Sequence, residues 1–246
     1  NLRMCEIAPA DAPEAGLAHH LAGAMEHWLR RPRPLTLAIG TGRTLRAAIA
    51  RLPHIDCPDH RIVSLTGNIA TDGSTAAYNV LFSVSELVTA RSFPLPVPVI
   101  LPTVEERRAI TRQPGIRRVI EMSAEAEVAF VGIGAMDDAA PLMLDGFLTL
   151  PDLRLMQRAG AVGEIIGWAY DAHGELIRGI ANDRVASAPI PSRDRTLVIG
   201  AARGPEKLAA LRGALRGGLI NGLITDAATG RALRSGQDAS ASTLQS

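Results

Sequence analysis

Short apolar runs alternate with amphipathic stretches along most of the chain. Runs of strand length fall at residues 3–8, 35–39, 61–65, 128–134, 196–200 and 222–225. Between them, apolar residues recur at intervals of three and four, as at Leu45, Ile49 and Leu52, which is the spacing of one helix face. Strands that alternate with helices predict an α/β fold, namely a doubly wound, mostly parallel sheet with helices on both faces.

The amphipathic stretches predict helices at residues 17–29, 43–52, 76–90, 104–112, 116–124, 148–159, 207–215 and 227–233. The segment Pro94–Pro102 is too rich in proline for a central strand, so we expect an extended segment at a sheet edge or across a subunit surface. Either residues 94–114 or the strand pair around 163–180 is expected to form a small subdomain beside the sheet. No linker is long enough to separate two independent domains.

The turn after the strand at 35–39 has the composition of a phosphate site. Its candidate ligands are Gly40, Thr41, Gly42, Arg43 and Thr44. Glycines let the backbone approach a ligand, and a helix start offers unpaired N–H groups and the positive end of the helix dipole. The alternative is an ordinary strand-to-helix turn. Leu45 stands where a dinucleotide-binding fingerprint requires a glycine, and no Walker sequence is present.

Two other strands also end in small polar turns. Gly67 and Asn68 follow the strand at 61–65, while Gly134 and Asp137 follow the run at 128–134. Because the carboxyl ends of parallel strands meet at one edge of a sheet, these turns are expected to face a common crevice. Asp137 either caps the next helix, the favoured interpretation, or binds sugar hydroxyl groups.

Two charged residues occupy positions that their local structure does not favour. Glu164 lies in an apolar run with Val162 and Ile165, where an acid is costly to bury unless it is paired. It is therefore turned to solvent or, as we favour, faces a polar ligand. Lys207 is predicted in the first turn of a helix, where a cation opposes the helix dipole. A nearby anion explains it better than helix stability, although a solvated surface lysine is the alternative.

The charge balance argues against direct nucleic-acid binding. Lys and Arg number 26 and Asp and Glu 25, for a net charge of +1 without a basic block. Cys5 and Cys57 lie far apart, and no cysteines or histidines have metal-ligand spacing, so neither a metal nor a cofactor is predicted. No apolar run reaches the length of a signal peptide or a membrane span, which favours a cytoplasmic location. The chain opens at Asn1 almost directly into a strand-like run, so we expect the natural N-terminus to lie upstream.

Taken in order, these turns resemble those of the C-terminal effector-binding domain of the SorC family of sugar-binding bacterial transcriptional regulators. The matching segments are Ile39–Thr44, Leu65–Asn68, Phe93–Pro98, Val131–Gly134, Gly160–Glu164 with Tyr170–Gly174, and Gly204–Lys207 followed by Gly222–Asp226. Six segments in register cover nearly the whole chain, which makes the resemblance specific. Residues 163–170 and 182–187 are most similar to members that regulate polyol use, such as the erythritol catabolism regulators.

The resemblance implies a NagB/RpiA-like fold, similar to that of sugar-phosphate isomerases and deaminases. It also implies an effector-binding domain at residues 1–234 and a helix-turn-helix region upstream that binds operator DNA. The polar residues 235–246 are expected to form a disordered tail. By motif, the implied phosphate ligands are the turn at 41–44 and Lys207, the hydroxyl acceptor is Glu164, and the pocket neighbours are Gly67, Asn68 and Asn79. Family members often have paired glycines where Arg203 precedes Gly204, so either the phosphate geometry differs or Arg203 joins the site.

The expected function is ligand sensing and oligomerisation. A phosphorylated sugar or polyol binds at the carboxyl edge of the sheet and controls operator binding by a homodimer or homotetramer, without catalytic residues or a membrane partner. The alternative is an active sugar-phosphate isomerase or deaminase, in which Glu164 and Lys207 supply the general base and the proton carrier. A third possibility is an oligomerisation domain with a vestigial pocket.

Overall fold

The computed structural model of the chain describes residues 2–9, 13–69 and 80–235. The predicted site residue Asn79, the first part of the helix expected at 76–90 and the tail at 236–246 lie outside these ranges. Within them, no helix has both the length and the hydrophobicity needed to cross a membrane.

Seven parallel strands form the main sheet, of which the sequence predicted six and missed the edge strand at 91–93. They are β1 (Met4–Ala8), β2 (Thr36–Ile39), β3 (Arg61–Ser64), β4 (Arg91–Phe93), β5 (Val128–Gly132), β9 (Leu197–Ala201) and β10 (Gly222–Asp226). Their order across the sheet is β1-β10-β9-β5-β2-β3-β4, and every neighbouring pair is parallel. The predicted α/β class is confirmed.

The predicted helices are present in the described residues, although the one expected at 76–90 ends at Ser85 and the short helix at Pro141–Leu144 was not predicted. The helices are α1 (Pro13–Leu29), α2 (Arg43–Ile49), α3 (Val80–Ser85), α4 (Val104–Thr111), α5 (Pro114–Ala124), α6 (Pro141–Leu144), α7 (Leu150–Arg158), α8 (Leu208–Arg216) and α9 (Ala227–Ser235), with short 3-10 turns at Asn182–Arg184 and Pro205–Lys207. Local signals set several boundaries. Thr103 and Glu106 form a capping box at the start of α4, and Pro114 opens α5, where a missing N–H leaves no helical bond unmade.

Both faces of the main sheet are covered, which accounts for its continuous apolar strands. On β5, Val128 and Phe130 pack into a cluster with α1 and α2, whereas Ala129 and Val131 pack into a second cluster with α8. Successive side chains on a strand point to opposite faces, so helices on both sides bury all four residues.

A small antiparallel sheet lies beside the main one, at the strand pair named as one candidate subdomain. It consists of β6 (Gly134–Ala135), β7 (Ala161–Ile165) and β8 (Trp168–Asp171), in the order β6-β7-β8. Residues of α6 and α7 share a hydrophobic cluster with residues of this sheet. The subdomain therefore follows directly from β5 and borders the carboxyl edge of the main sheet.

The proline-rich segment continues from the edge strand β4 as extended chain. Its side chains Leu95, Val97 and Val99 are buried against the rest of the chain, so the segment packs within the subunit. The carbonyl oxygen of Val97 lies 2.3 Å from where a Cβ on Gly67 would stand. Gly67 thus permits close packing of two backbone segments.

The strand order reverses direction between β2 and β5. From β2 the sheet continues to β3 and β4, whereas from β5 it continues to β9 and β10. Loops that leave two such neighbouring strands diverge and open a crevice at the carboxyl edge, which is where open α/β sheets bind ligands.

Candidate functional site

A cavity of about 490 Å³ occupies this crevice. Its walls come from the turns after β2, β3, β5 and β9, from the β7–β8 hairpin and from the α6 region. The predicted site residues that line it are Thr41, Gly42, Arg43, Thr44, Gly134, Glu164 and Lys207. Seven residues from four separate parts of the chain therefore meet in one cavity.

The turn after β2 contributes backbone donors. Gly42 has φ 130°, and α2 begins at the next residue without a side-chain cap. The first-turn N–H groups of a helix have no acceptor within the helix, and no side chain caps them here. Gly40 itself does not line the cavity. Its N–H donates to the Phe130 carbonyl, and a Cβ there would stand 3.0 Å from Ile166.

Glu164 is the buried acid of the cavity wall, with 9% of its surface exposed. Its Oε2 accepts a hydrogen bond from the Gly167 N–H at 2.8 Å. Burial raises the pKa of this carboxyl, and Asp145 raises it further, while the Gly167 N–H and the Lys207 ammonium oppose the shift. Gly134 makes room for the acid, because a Cβ at that position would stand 2.1 Å from Oε1.

A strained turn holds Glu164 in place. The β7–β8 hairpin turns through Ile166 and Gly167, with φ of 48° and 92°. Two successive positive φ values match the twist of a two-residue hairpin, but a β-branched residue rarely adopts them. Ile166 and Gly167 both line the cavity, so the strain lies at the site itself.

Lys207 approaches the cavity from the other side. It ends the 3-10 turn at Pro205–Lys207 and directly precedes α8, one position before the predicted first turn. It is the only lysine among the 26 basic residues of the sequence. None of the ion pairs found among residues 2–9, 13–69 and 80–235 includes it.

The cavity also contains charged residues that sequence reasoning did not select. Asp145 lies 3.3 Å from the Arg43 guanidinium, 102 residues away in the chain. Partial burial raises the pKa of Asp145, and Arg43 opposes that rise. Arg203, left open by the sequence, and Glu206 line the cavity as well. Asp145 lies outside every predicted strand and helix, and no local motif includes it.

Thr66 is a further lining residue that the sequence did not single out. Its side chain is buried, and its hydroxyl has no hydrogen-bond partner among the residues described. The sequence instead predicted the next two residues, Gly67 and Asn68, as part of the site. Neither of those two lines the cavity.

Asp137 lies outside the cavity lining and makes a local bond. Its carboxylate accepts the Ala139 N–H at 3.0 Å in a local turn, whereas the cap position of α6 is Ala140, so Asp137 does not cap that helix as the sequence predicted. Asn68 is half-buried, and its Oδ1 has no hydrogen-bond partner among the residues described. Asn79 lies outside the described ranges.

The lining carries charged groups of both signs. Its cations are Arg43, Arg203 and Lys207, and its acids are Asp145, Glu164 and Glu206. Across the described residues, no group of histidines, cysteines or acids is arranged to hold a metal ion, and no histidine lines the cavity.

Several known proteins are similar to this chain in sequence or in fold. The Sugar-bind family model, described as a sugar-binding domain, matches residues 1–234. The erythritol catabolism regulatory protein EryD of Brucella abortus (strain 2308) is 32% identical over 237 residues, which cover 94% of this chain and 75% of that protein. The transcriptional regulator LsrR of Enterobacter sp. (strain 638) is 30% identical over 231 residues, covering 89% of this chain and 65% of that protein.

Among solved structures, the full-length sorbitol operon regulator SorC from Klebsiella pneumoniae shares the fold. It superposes with a TM-score of 0.80 at 20% sequence identity, over 94% of this chain and 76% of that chain. The present chain thus spans part of the length of each of these three proteins.

Proposed function

Because the chain belongs to the SorC family of transcriptional regulators and matches the sugar-binding domain of that family, we propose that its cavity senses a phosphorylated sugar or polyol. Binding of this effector favours one arrangement of the subunits in a homodimer or homotetramer. An upstream helix-turn-helix region then binds or releases operator DNA in the cytoplasm. An effector acts in this way only through different affinities for the two arrangements.

The convergence of the 41–44 turn, Glu164 and Lys207 on one cavity carries the proposal. A phosphate suits a helix-start turn with threonine hydroxyl groups and nearby cations, because N–H donors and positive charges both favour an anion. The buried carboxylate of Glu164 suits a hydroxyl donor, since a carboxylate accepts hydrogen bonds and this one is largely removed from solvent. A molecule that carries both groups matches the lining.

The names of two similar proteins favour a polyol skeleton for the effector, while its phosphate is inferred from the cavity lining. EryD is named for erythritol catabolism and SorC for the sorbitol operon, and both names refer to polyols. The relatives reported above are named as regulators, so they do not support the isomerase or deaminase alternative.

Calorimetry with the purified domain tests the proposal. The probes are erythritol and sorbitol, each free and phosphorylated on one terminal hydroxyl group. We expect the phosphate esters to bind and the free polyols to bind at least tenfold more weakly, since a charge-assisted hydrogen bond contributes about 1.5–3 kcal/mol. Lys207→Ala should weaken ester binding by about tenfold or more, whereas Arg117→Ala, which removes an exposed cation outside the cavity, should not.

Two results would overturn the proposed function. One is equal affinity for free and phosphorylated polyols, which would remove phosphate recognition. The other is turnover of an aldose or ketose phosphate by the domain at ordinary enzymatic rates, as measured by NMR. Such turnover would show that the domain is an enzyme and not a sensor.

A further inference from the structure

The formal charges of the cavity lining cancel. The acids and cations that line it are Asp145, Glu164, Glu206, Arg43, Arg203 and Lys207. A phosphate ester brings about two further negative charges into this set. Charges in a partly buried site interact more strongly than charges in water, so at least one of the acids is expected to respond when the phosphate binds.

Asp145 is the acid that a bound phosphate displaces. Its Oδ1 lies 3.3 Å from Nη2 of Arg43, which belongs to the proposed phosphate turn at 41–44. A phosphate held by that turn competes for the same guanidinium, because a phosphate and a carboxylate use the same fork of N–H donors. Once Arg43 pairs with the phosphate, Asp145 keeps the burial that disfavours its charge and loses the cation that offsets it.

Glu164 differs from Asp145 because it retains other partners. The Lys207 ammonium lowers the pKa of Glu164 and the Asp145 carboxylate raises it, so the three charges are linked. Glu164 also accepts the Gly167 N–H at 2.8 Å, and it gains hydroxyl groups from a bound polyol. Among the described residues, Arg43 is the one partner found for the Asp145 side chain. Asp145 is therefore the acid left with an uncompensated charge.

The other parts of the lining do not supply Asp145 with a net positive charge. Arg203 and Glu206 come from the segment between β9 and α8 and have opposite charges. Pro141, Leu142 and Phe147, which line the cavity close to Asp145 in the sequence, are uncharged.

The elements that adjoin α6 have their charges engaged elsewhere. On α7, Asp152 pairs with Arg184 at 2.6 Å and Arg154 pairs with Asp138 at 2.5 Å, and none of these four residues lines the cavity. Arg158, at the end of α7, is exposed and lies outside the lining. Strand β6, which packs on α6, carries no charged residue. The state of Asp145 therefore depends chiefly on Arg43, on Glu164 and on the ligand.

We propose that Asp145 takes up a proton when the effector phosphate binds to Arg43. This inference rests on the proposed function and adds a dependence on pH to it. The proton comes from the solvent, and the neutral carboxyl group then donates its O–H to a phosphate oxygen. A hydrogen bond thereby replaces the repulsion between two anions, and no unpaired carboxylate is left in the cavity wall.

Proton binding and effector binding then favour each other. By linkage, affinity for the phosphate ester falls as pH rises through the pKa of Asp145, relative to a domain in which this residue cannot titrate. The ester itself ionises near a pH of about 6, but that contribution is the same for every variant. A comparison of variants at several pH values therefore isolates Asp145.

Calorimetry in buffers of different ionisation enthalpy measures the number of protons taken up. The ligands are erythritol phosphate and sorbitol phosphate, studied from about pH 5 to about pH 7.5. The variants are Asp145→Asn and Asp145→Ser, neither of which has a carboxyl group to titrate. Asp138→Asn is the control, because it removes an acid that pairs with Arg154 outside the cavity.

We expect the wild type to take up, at its largest, about 0.3–0.4 proton per site more than Asp145→Asn, which is the amount linked to a fivefold change in affinity. Near pH 7.5, Asp145→Asn should bind the tighter-binding ester about fivefold more strongly than the wild type, and this advantage should shrink as pH falls. Asp138→Asn should take up as many protons as the wild type.

Equal proton uptake by the wild type and the Asp145 variants, with a ratio of affinities that does not change with pH, would overturn this inference and leave the proposed function intact. A wild type that binds neither ester would overturn both. Asp145→Ser gives the same comparison if Asp145→Asn fails to fold. If neither variant folds, the wild type alone decides, because cations around the ester favour its dianion, so net uptake requires a protein group and net release would overturn the inference.

Discussion

The Glu164 carboxylate accepts the Gly167 N–H at 2.8 Å, across a hairpin turn whose other residue, Ile166, has φ of 48°. A positive φ at a β-branched residue costs about 1–3 kcal/mol, so the surrounding structure must hold the turn in this shape. The acid and the strained turn are therefore parts of one unit that fixes a carboxylate in the cavity wall.

Replacing Glu164 by Gln should separate stability from binding. The pKa of Glu164 is raised in the folded state, so its contribution to stability is present below its ordinary value of 4.5 and is lost as pH rises through the folded-state pKa. Glu164→Gln removes this loss, and we expect a higher unfolding temperature at pH 7, by about 2–4 °C for each kcal/mol recovered. Affinity for a phosphorylated polyol should fall. A variant less stable than the wild type at every pH would contradict the burial argument.

Gly134→Ala should displace the Glu164 side chain. The new methyl group would stand 2.1 Å from Oε1, which requires the carboxylate or the β6–β7 pair to move. We expect a loss of about 1–3 kcal/mol in the free energy of unfolding, measured by urea denaturation, together with loss of ligand binding. Gly23→Ala is the control, because nothing lies within 4 Å of its Cβ position in α1 and alanine favours a helix.

Asp145→Asn should strengthen anion binding. The Asp145 carboxylate competes with a bound phosphate for Arg43 and repels it within the same cavity. Two charges at about 4 Å interact by roughly 1 kcal/mol in water, so we expect affinity for a phosphate ester to rise by about fivefold, measured by calorimetry at low salt. Asp138→Asn serves as the control, since Asp138 pairs with Arg154 outside the cavity. Equal gains in both variants would indicate only a change in net charge.

His60 should make the domain less stable in mild acid. Its side chain is 3% exposed, and burial lowers its pKa below 6.5, opposed by nearby Asp59 and by the Leu29 backbone. The unfolded chain therefore takes up the proton first, and stability falls as pH drops below about 6.5, by at most about 1.4 kcal/mol per pH unit. His60→Leu should reduce this dependence in thermal unfolding between pH 7 and pH 5. His54→Leu, at an exposed histidine, should leave it unchanged.

The sequence predicted the architecture because its signals are local. Apolar runs that end in glycine, such as the one leading to Gly40, and the three-and-four spacing on α8 each identify an element without knowledge of the rest of the chain. The convergence of the 41–44 turn and Lys207 was also predictable, since parallel strands place their carboxyl ends at one edge.

Other parts of the site depend on contacts between distant segments. Asp145 reaches Arg43 from 102 residues away, and its own segment contains no pattern that predicts this. Val99 packs closely against Gly167, a glycine of positive φ, and no periodicity in the sequence reveals this contact. Sequence patterns give the direction of each strand, but packing between loops decides which side chains enter the cavity.

A sole lysine in the cavity gives the protein a built-in reporter. Apart from the α-amine, Lys207 provides the chain's one primary amine, so reductive methylation with labelled formaldehyde would introduce a single side-chain resonance. Its chemical shift would follow occupancy of the cavity without further engineering. Acylating reagents would modify the same atom, and their rate would measure how well a bound molecule shields it.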